Sequence, residues 1–431
     1  MSESRWDELE RLLGEGADLL TELKGHALRV YTHNDADGLS AGAILAFTLR
    51  CLEIPAAIRV LDNESDVLKE GIDGPTVILD MGSGILRKLS ADDPVLVVDH
   101  HEVSEEVPSN VTLVNPRECG FDGGTEASAS TVTYLLCKTL VKLERTELPK
   151  AALVGAYGDN QADRRGVRGL NRIPERDGEE AEIVEPRDPA YWTFGRATMT
   201  VGEIVETLSG PDVRRALESR FGELDRPPVD IPGEEESEIV EEHSRLTDLN
   251  GRMGYIHVFR DERPLTALKD PLETATLLNS CGRYGEGWIG LLVAMGSWDH
   301  LDRAKRLRRK HKAVIREALS KLERGRGVEE RDGYLLIDGC SLDIPPTVIG
   351  IVSQIVCENE DRVVVGVSRL DDETVKVSVR CPEGSDADAG ELASEAAEKV
   401  GGEGGGHERA AGAEIPADRL DEFLEHLERL L

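Results

Sequence analysis

The sequence predicts an α/β fold: a mainly parallel N-terminal sheet, a mostly helical middle region and a C-terminal α/β domain. Three observations carry this. Short β-branched, apolar runs alternate with helical segments through the first third of the chain, the pattern of βαβ units. A charged stretch with helical spacing follows, broken by Pro227-Pro228-Val229-Asp230-Ile231-Pro232-Gly233. Strands and helices then alternate again to the end. The expected divisions are 1–189, 190–320 and 325–431.

Taken in order, Leu9, Leu12, Leu13, Leu19, Leu20 and Leu23 fall at the spacing of an amphipathic helix. Leu28 to Thr32 reads as a buried strand and Leu39 to Leu49 as a helix, with His33-Asn34-Asp35-Ala36-Asp37-Gly38 at the turn between them. A turn at the carboxyl end of a strand is where an α/β sheet usually places a ligand. Imidazole and carboxylate groups two residues apart suit a Mg or Mn type cation. The alternative is an Asp helix cap beside a surface His. Further strands are expected at Ala57 to Leu61, Thr76 to Leu79 and Val95 to Val98. The second of these ends on Asp80 and the third on Asp99-His100-His101. Acidic and imidazole groups thereby converge on one sheet edge.

Gly120 to Gly124 then leads into a helix expected over Thr125 to Leu136. Hydroxyls at its start, Ser128 among them, could hold a phosphate oxygen; equally, Thr125 could be a cap with Ser128 and Ser130 packed. Ala151 to Tyr157 reads as a helix that ends at Gly158-Asp159, and 161–187 as an exposed connection. In the middle region, helices are expected around Val201 to Leu217 and Ile239 to Leu249. Leu301 to Leu319 is densely basic and includes Arg308 and Arg309. It reads either as a solvated face paired with acids or as a phosphate-backbone contact.

In the C-terminal region, strands are expected at Tyr334 to Ile337, Arg362 to Ser368 and Thr374 to Arg380, with helices at Thr347 to Cys357 and Asp388 to Val400. Gly404-Gly405-Gly406-His407 reads as a loop whose amides approach a phosphate closely, and Arg380 as a charged fork for the same group.

Composition narrows the classes. The formal net charge is −33, so any nucleic acid must be met by a local basic groove or by bound cations. No run of about 18 apolar residues is present, so no membrane partner is expected. With no signal-like N-terminus, a cytoplasmic location is the default. The seven Cys are scattered without a Cys-x-x-Cys pair, which fits reduced thiols and excludes a zinc ribbon.

Together, His33-x-Asp35-x-Asp37-Gly38, Asp80, Asp99-His100-His101 and Gly155 to Asp159 resemble the four motifs of the DHH phosphoesterase superfamily. Gly404 to His407 resembles the signature of the accompanying DHHA1 domain. The resemblance implies two divalent cations, Mn or Mg, bridged by Asp80. His33 and Asp35 would belong to one, Asp37 and His100 to the other, and Asp159 would complete the set. Asp80 and His101 would be the catalytic residues, His101 by contacting the scissile phosphate or by supporting a ligand, and Asp99 would orient a His. The Asp-Ala-Asp-Gly form of the first motif, the stretch ending at Arg380-Cys381, and Leu277 to Arg283 are similar to the archaeal RecJ-like exonucleases. That implies two-metal hydrolysis of single-stranded DNA from the 5′ end, with RNA as a further substrate, in replication and repair. It also implies association with the GINS complex. The alternatives are a phosphodiesterase for short oligonucleotides or cyclic dinucleotides, and a replication scaffold with incidental catalysis.

Overall fold

The computed structural model describes residues 3–103, 106–142, 147–249, 251–260, 266–323, 327–358, 360–382 and 384–431. The chain forms two compact units, Met1–Leu307 and Arg308–Leu431. The start expected for the C-terminal domain, residue 325, lies outside the described residues.

The first unit opens with α1 (Glu3–Glu22), β1 (Leu28–His33), α2 (Ala36–Cys51), β2 (Ala56–Leu61), α3 (Glu64–Glu70), β3 (Thr76–Leu79), β4 (Val95–Val98), β5 (Val111–Val114), α4 (Ala129–Leu140) and α5 (Leu148–Gly158). Among the described residues the five strands form one sheet in the order β2-β1-β3-β4-β5, every pairing parallel. β3 and β4 are wholly buried, as expected of parallel strands covered on both faces. Their side chains alternate between two cores. Val77, Leu79, Leu96 and Val98 join the leucines of α1 and the apolar side of α4. Ile78, Val95 and Val97 pack with Tyr31, Leu86 and Leu89 on the opposite face. The polar residues that follow the last apolar residue of β1, β3 and β4 therefore emerge together at the carboxyl edge.

The unit continues with β6 (Ala162–Asp163), β7 (Gly166–Val167), α6 (Arg172–Glu180), β8 (Val184–Tyr191), α7 (Val201–Ser209), α8 (Pro211–Phe221), α9 (Gly233–Leu246), β9 (Met253–Phe259), α10 (Pro271–Arg283) and α11 (Gly287–Ala294). The segment 161–187 is not the exposed connection that its charge implied. β6 and β7 form a hairpin, and Gln161, Asn171, Glu175 and Asp177 are buried. Its polar groups find internal partners: Asp177 accepts from Tyr134 Oη at 2.7 Å and Glu175 from His257 Nε2 at 2.9 Å. The helix expected over Val201 to Leu217 is two helices, broken where Gly210 takes φ of +83° ahead of Pro211.

α12 (Leu301–Glu323) carries the basic segment. Leu301, Ala304 and Leu307 lie in the core of the first unit, and Ala318 in a core of the second. Arg308 faces inward and is buried, whereas Arg309 is exposed. The expectation that both present charge to a strand is corrected for Arg308, because the helix repeat turns it toward the interior.

The second unit comprises β10 (Val328–Glu330), β11 (Tyr334–Asp338), α13 (Pro346–Cys357), β12 (Val363–Arg369), β13 (Thr374–Arg380), α14 (Ala389–Lys399), β14 (Glu403–His407), β15 (Ala410–Pro416) and α15 (Leu420–Leu430). Its sheet runs β10-β11-β12-β13-β15-β14. The glycine run expected as a loop is the edge strand β14, paired antiparallel with β15. Its glycines have a packing reason: a Cβ at Gly404 would overlap the Ala393 carbonyl of α14, and one at Gly406 would overlap Ala410 and Ala411 of β15. A Cβ at Gly405 would meet open space.

Candidate active site

β1 delivers His33, and the turn after it delivers Asp35 and Asp37. Asp35 caps α2, its Oδ1 accepting from Gly38 N at 2.9 Å. Its Oδ2 faces His33 Nδ1 at 3.1 Å, and the same nitrogen lies 3.3 Å from Asp80 Oδ2. Asp80 sits directly after β3 with φ of +60°. A non-glycine residue held in that region is strained, and such strain clusters at functional positions. The other carboxylate oxygen of Asp80 lies 3.3 Å from His100 Nε2. Asp80 is therefore shared between two groups of side chains, His33 with Asp35 on one side and His100 with Asp37 and Asp159 on the other.

The second group is deeply buried. Asp37 accepts from Ala129 N at 2.7 Å and Ser130 N at 2.9 Å, the first amides of α4, where a carboxylate is favoured. Gly155 of α5 makes this approach possible, since a Cβ there would overlap Ser130 Oγ and an Asp37 carboxylate oxygen. His100 donates from Nδ1 to the Gly123 carbonyl at 2.6 Å. That bond fixes the orientation of the ring and aims Nε2 at Asp80 and, at 3.9 Å, at Asp37. Asp159 Oδ2 lies 3.8 Å from His100 and accepts from Gln161 Nε2 at 2.7 Å. His101 Nδ1 donates to Asp99 Oδ1 at 2.7 Å, and Asp99 also accepts from Ser83 N at 3.0 Å and His100 N at 2.8 Å. Asp99 thus holds the triplet in place.

So many carboxylates in one buried space disturb each other's titration. Burial, reinforced by the charge of Asp80, pushes Asp37 up to about 8. Burial likewise pushes Asp159 up to about 6. For Asp35, burial also disfavours the charge, but His33 outweighs it and holds the carboxyl well below the usual range. His33 and His100 are raised well above the ordinary imidazole value, because their carboxylate neighbours overcome burial. A divalent cation would relieve this repulsion. Ligand atoms of His33, Asp35 and Asp80 lie within 4.8 Å of one another, as do those of Asp37, His100 and Asp159, and those of Asp80, Asp99, His100 and His101. Oxygen with imidazole and no thiolate is a donor set for Mg or Mn type ions.

All the residues expected to act on cations are thus brought together. Ser128 is not exposed to a phosphate: it is buried and caps α4, its Oγ accepting from Thr131 N at 3.2 Å. The helix begins at Ala129, not Thr125. Arg309, Arg380, Gly404 to Gly406 and His407 belong to the second unit. There, Nη1 of Arg380 donates to the carbonyls of Val379 at 2.8 Å and Ala411 at 3.0 Å, which fixes the fork. Buried Ser378, two residues before it on β13, has a hydroxyl with no hydrogen-bond partner among the described residues.

Four supporting residues had gone unassigned. Gln161 bridges Asp159 and the Gly123 carbonyl; its position two after Asp159 was the available signal. Glu64 accepts from Gly82 N at 2.7 Å and Gly84 N at 3.1 Å, bracing the loop after Asp80. Asn279 of α10 accepts from Ala36 N at 2.7 Å, and Arg283 at the end of that helix interacts with Asp35.

Fold and site define a two-domain α/β protein with a cation-type cluster at the carboxyl edge of a parallel sheet. Residues 27–157 match the DHH family, N-terminal domain, and residues 332–431 match the DHHA1 domain. The chain belongs to the DHH/DHHA1 superfamily, with a RecJ-like fold. Members such as RecJ are hydrolases of phosphodiester bonds. It is 24% identical over 428 residues to an uncharacterised protein of Methanocaldococcus jannaschii, covering 94% of this chain and 93% of that one. Among solved structures it is similar to RecJ in complex with Mn2+ from Thermus thermophilus, with TM-score 0.63 and 20% identity over 97% of this chain. The chain spans 54% of the length of that RecJ. It is similar also to CDC45 from Entamoeba histolytica, with TM-score 0.60 and 12% identity, covering 99% of this chain and 98% of that one. Among the described residues no helix is long and apolar enough to cross a membrane.

Proposed function

We propose that the chain is a metal-dependent exonuclease for single-stranded nucleic acid, acting on DNA from the 5′ end and on RNA as well, in replication or repair. The sharing of Asp80 between His33–Asp35 and His100–Asp37–Asp159 carries this reading, because it offers two adjoining ligand sets with one carboxylate in common. His33, Asp35 and Asp80 would hold one Mn2+ or Mg2+, and Asp37, His100, Asp159 and Asp80 the other. When bound, such a pair lowers the pKa of water and neutralises charge on the phosphodiester.

The chain's own residues do the rest. Asp99 fixes His101 through Nδ1, and the ring is partly exposed. Burial opposes the charge of His101 and Asp99 outweighs it, so the imidazole is raised above its ordinary value. In its charged form it would supply a proton to the leaving oxygen. Arg283 offers a cation to a non-bridging phosphate oxygen beside Asp35. Arg380 and the backbone of Gly405 are the substrate contacts assigned to the DHHA1 domain.

End-labelled DNA and RNA strands of about 20 nucleotides are the direct test. With Mn, 5′-labelled strands should yield labelled mononucleotide first, and Asp80→Ala should abolish it. No release with Mn or Mg, or equal rates with Asp80→Ala, would overturn the reading. Faster turnover of dinucleotides than of long strands would replace it with a short-oligonucleotide phosphodiesterase. GINS binding is a separate property, tested by co-purification.

A further inference from the structure

Two of the four Trp of this chain, Trp288 and Trp298, are exposed within one short stretch, at 49% and 36%. Trp288 lies on the outer face of α11. The inner face of that helix, with Gly287 against Val60 and Gly290 against Leu39, packs on β2 and α2. Val60 pairs with Thr32, the residue before His33, so the start of α11 lies at the carboxyl edge of the sheet, on its β2 side. Arg283 precedes Trp288 by only five residues and interacts with Asp35. Trp288 therefore lies at the carboxyl edge of the sheet, on the β2 side, five residues from a side chain that interacts with Asp35.

The indole is held in place, not loose. His300 meets it edge-on with centroids 5.8 Å apart, and Ser297 Oγ fixes that imidazole at 2.8 Å. The Arg303 guanidinium lies 5.9 Å from the ring centroid and is ion-paired with Glu286. A large apolar ring that is fixed yet half open to water is prepared for a flat partner, because little freedom is left to lose on binding. Local charge identifies that partner. Over the chain 84 acids outnumber 51 bases, yet from Arg283 to Arg306 four bases exceed three acids. A surface of Trp and Arg against a strongly negative background fits a polyanion that carries flat groups.

We propose that Trp288, supported by His300 and Arg303, is a base-stacking platform for single-stranded nucleic acid approaching the cluster from the β2 side. This rests on the exonuclease reading and adds a binding site to it. Base stacking on an aromatic side chain is worth about 1–3 kcal/mol per base, so W288A should weaken binding about tenfold.

The test measures anisotropy of fluorescein-labelled dT20 with full-length wild type, W288A and W288F, in EDTA so that no cleavage occurs. W288A should bind about tenfold more weakly and W288F within about threefold of wild type, since Phe still stacks. Unlabelled dT20 should quench Trp emission of the wild type more than that of W288F. Equal affinities for wild type and W288A, or no binding by the wild type, overturn the platform, and equal affinities would assign Trp288 to a protein partner instead. Mn-dependent hydrolysis by the wild type is measured in parallel. Activity with a W288A affinity equal to wild type overturns the platform alone; a W288A-sensitive affinity without activity overturns the hydrolase reading alone.

Discussion

The two halves of the cluster are built differently. In the buried half, each ligand-type group is anchored by something outside the cluster: Asp37 by two amides of α4, His100 by the Gly123 carbonyl, and Asp159 by Gln161. In the open half, the side chains of His33 and Asp35 are 28% and 38% exposed; His33 faces Asp35 and Asp80, and Asp35 has one anchor outside the cluster, Gly38 N. Groups anchored by the scaffold lose little freedom when a cation arrives, whereas groups held mainly by one another must be ordered by it. The buried half should hold its cation tightly and the open half should exchange it, with Asp80 as the hinge of the comparison.

The largest effect should come from Asp80→Asn, which weakens both halves at once. A cation pair supplies several kcal/mol of transition-state stabilisation, so the variant should lose activity by about a thousandfold or more. Calorimetric Mn titration should show both binding events weakened. A single weakened event would assign Asp80 to one half only. Gly155→Ala should come next. Its methyl would displace Asp37 from the α4 amides, costing about 1–3 kcal/mol of stability by overpacking. The tighter Mn site should be lost in the titration while the weaker one persists.

How much of this could be read from residue order alone depended on whether the signal was local. β1, β3 and β4 are short, largely apolar runs that end on or are followed directly by a charged or imidazole residue, so both the strand and its functional terminus stood in consecutive positions. Gly404 to Gly406 misled for the converse reason. A glycine run means a loop when only local conformation is considered, whereas here it reflects α14 and β15 packed against an edge strand. Arg308 and Ser128 failed likewise: their chemistry suits a phosphate, but a helix interior and a helix cap claimed them. Gln161 was hidden because its three acceptors, Asp159, Gly123 and Ala127, meet only in the folded chain.

His33→Ala sharpens the contrast from the open side. It should weaken one class of Mn site about a hundredfold, roughly 2.7 kcal/mol, and leave the other unchanged. Electron paramagnetic resonance counts of bound Mn should fall from two to one at limiting metal, with activity restored by added Mn. Loss of both sites together would mean that the halves are not independent.

The smallest effect is expected at Gln161, which touches no substrate and acts through Asp159. Its Nε2 donates to Asp159 Oδ2 and to the Gly123 carbonyl that also receives His100 Nδ1, so one side chain steadies two groups of the buried half. Its Oε1 accepts from Asn171 Nδ2 at 2.8 Å, which fixes the amide orientation. Removing such a supporting partner typically costs about 10–100-fold in metal affinity. Because the ligands themselves remain, Gln161→Ala should fall near the lower end, about tenfold. The loss should appear as a rightward shift in the Mn dependence of the rate, with the rate at saturating Mn close to wild type. A merely structural role would lower the saturated rate and the melting temperature together without moving the Mn midpoint, and that outcome would remove Gln161 from the anchoring of the buried half.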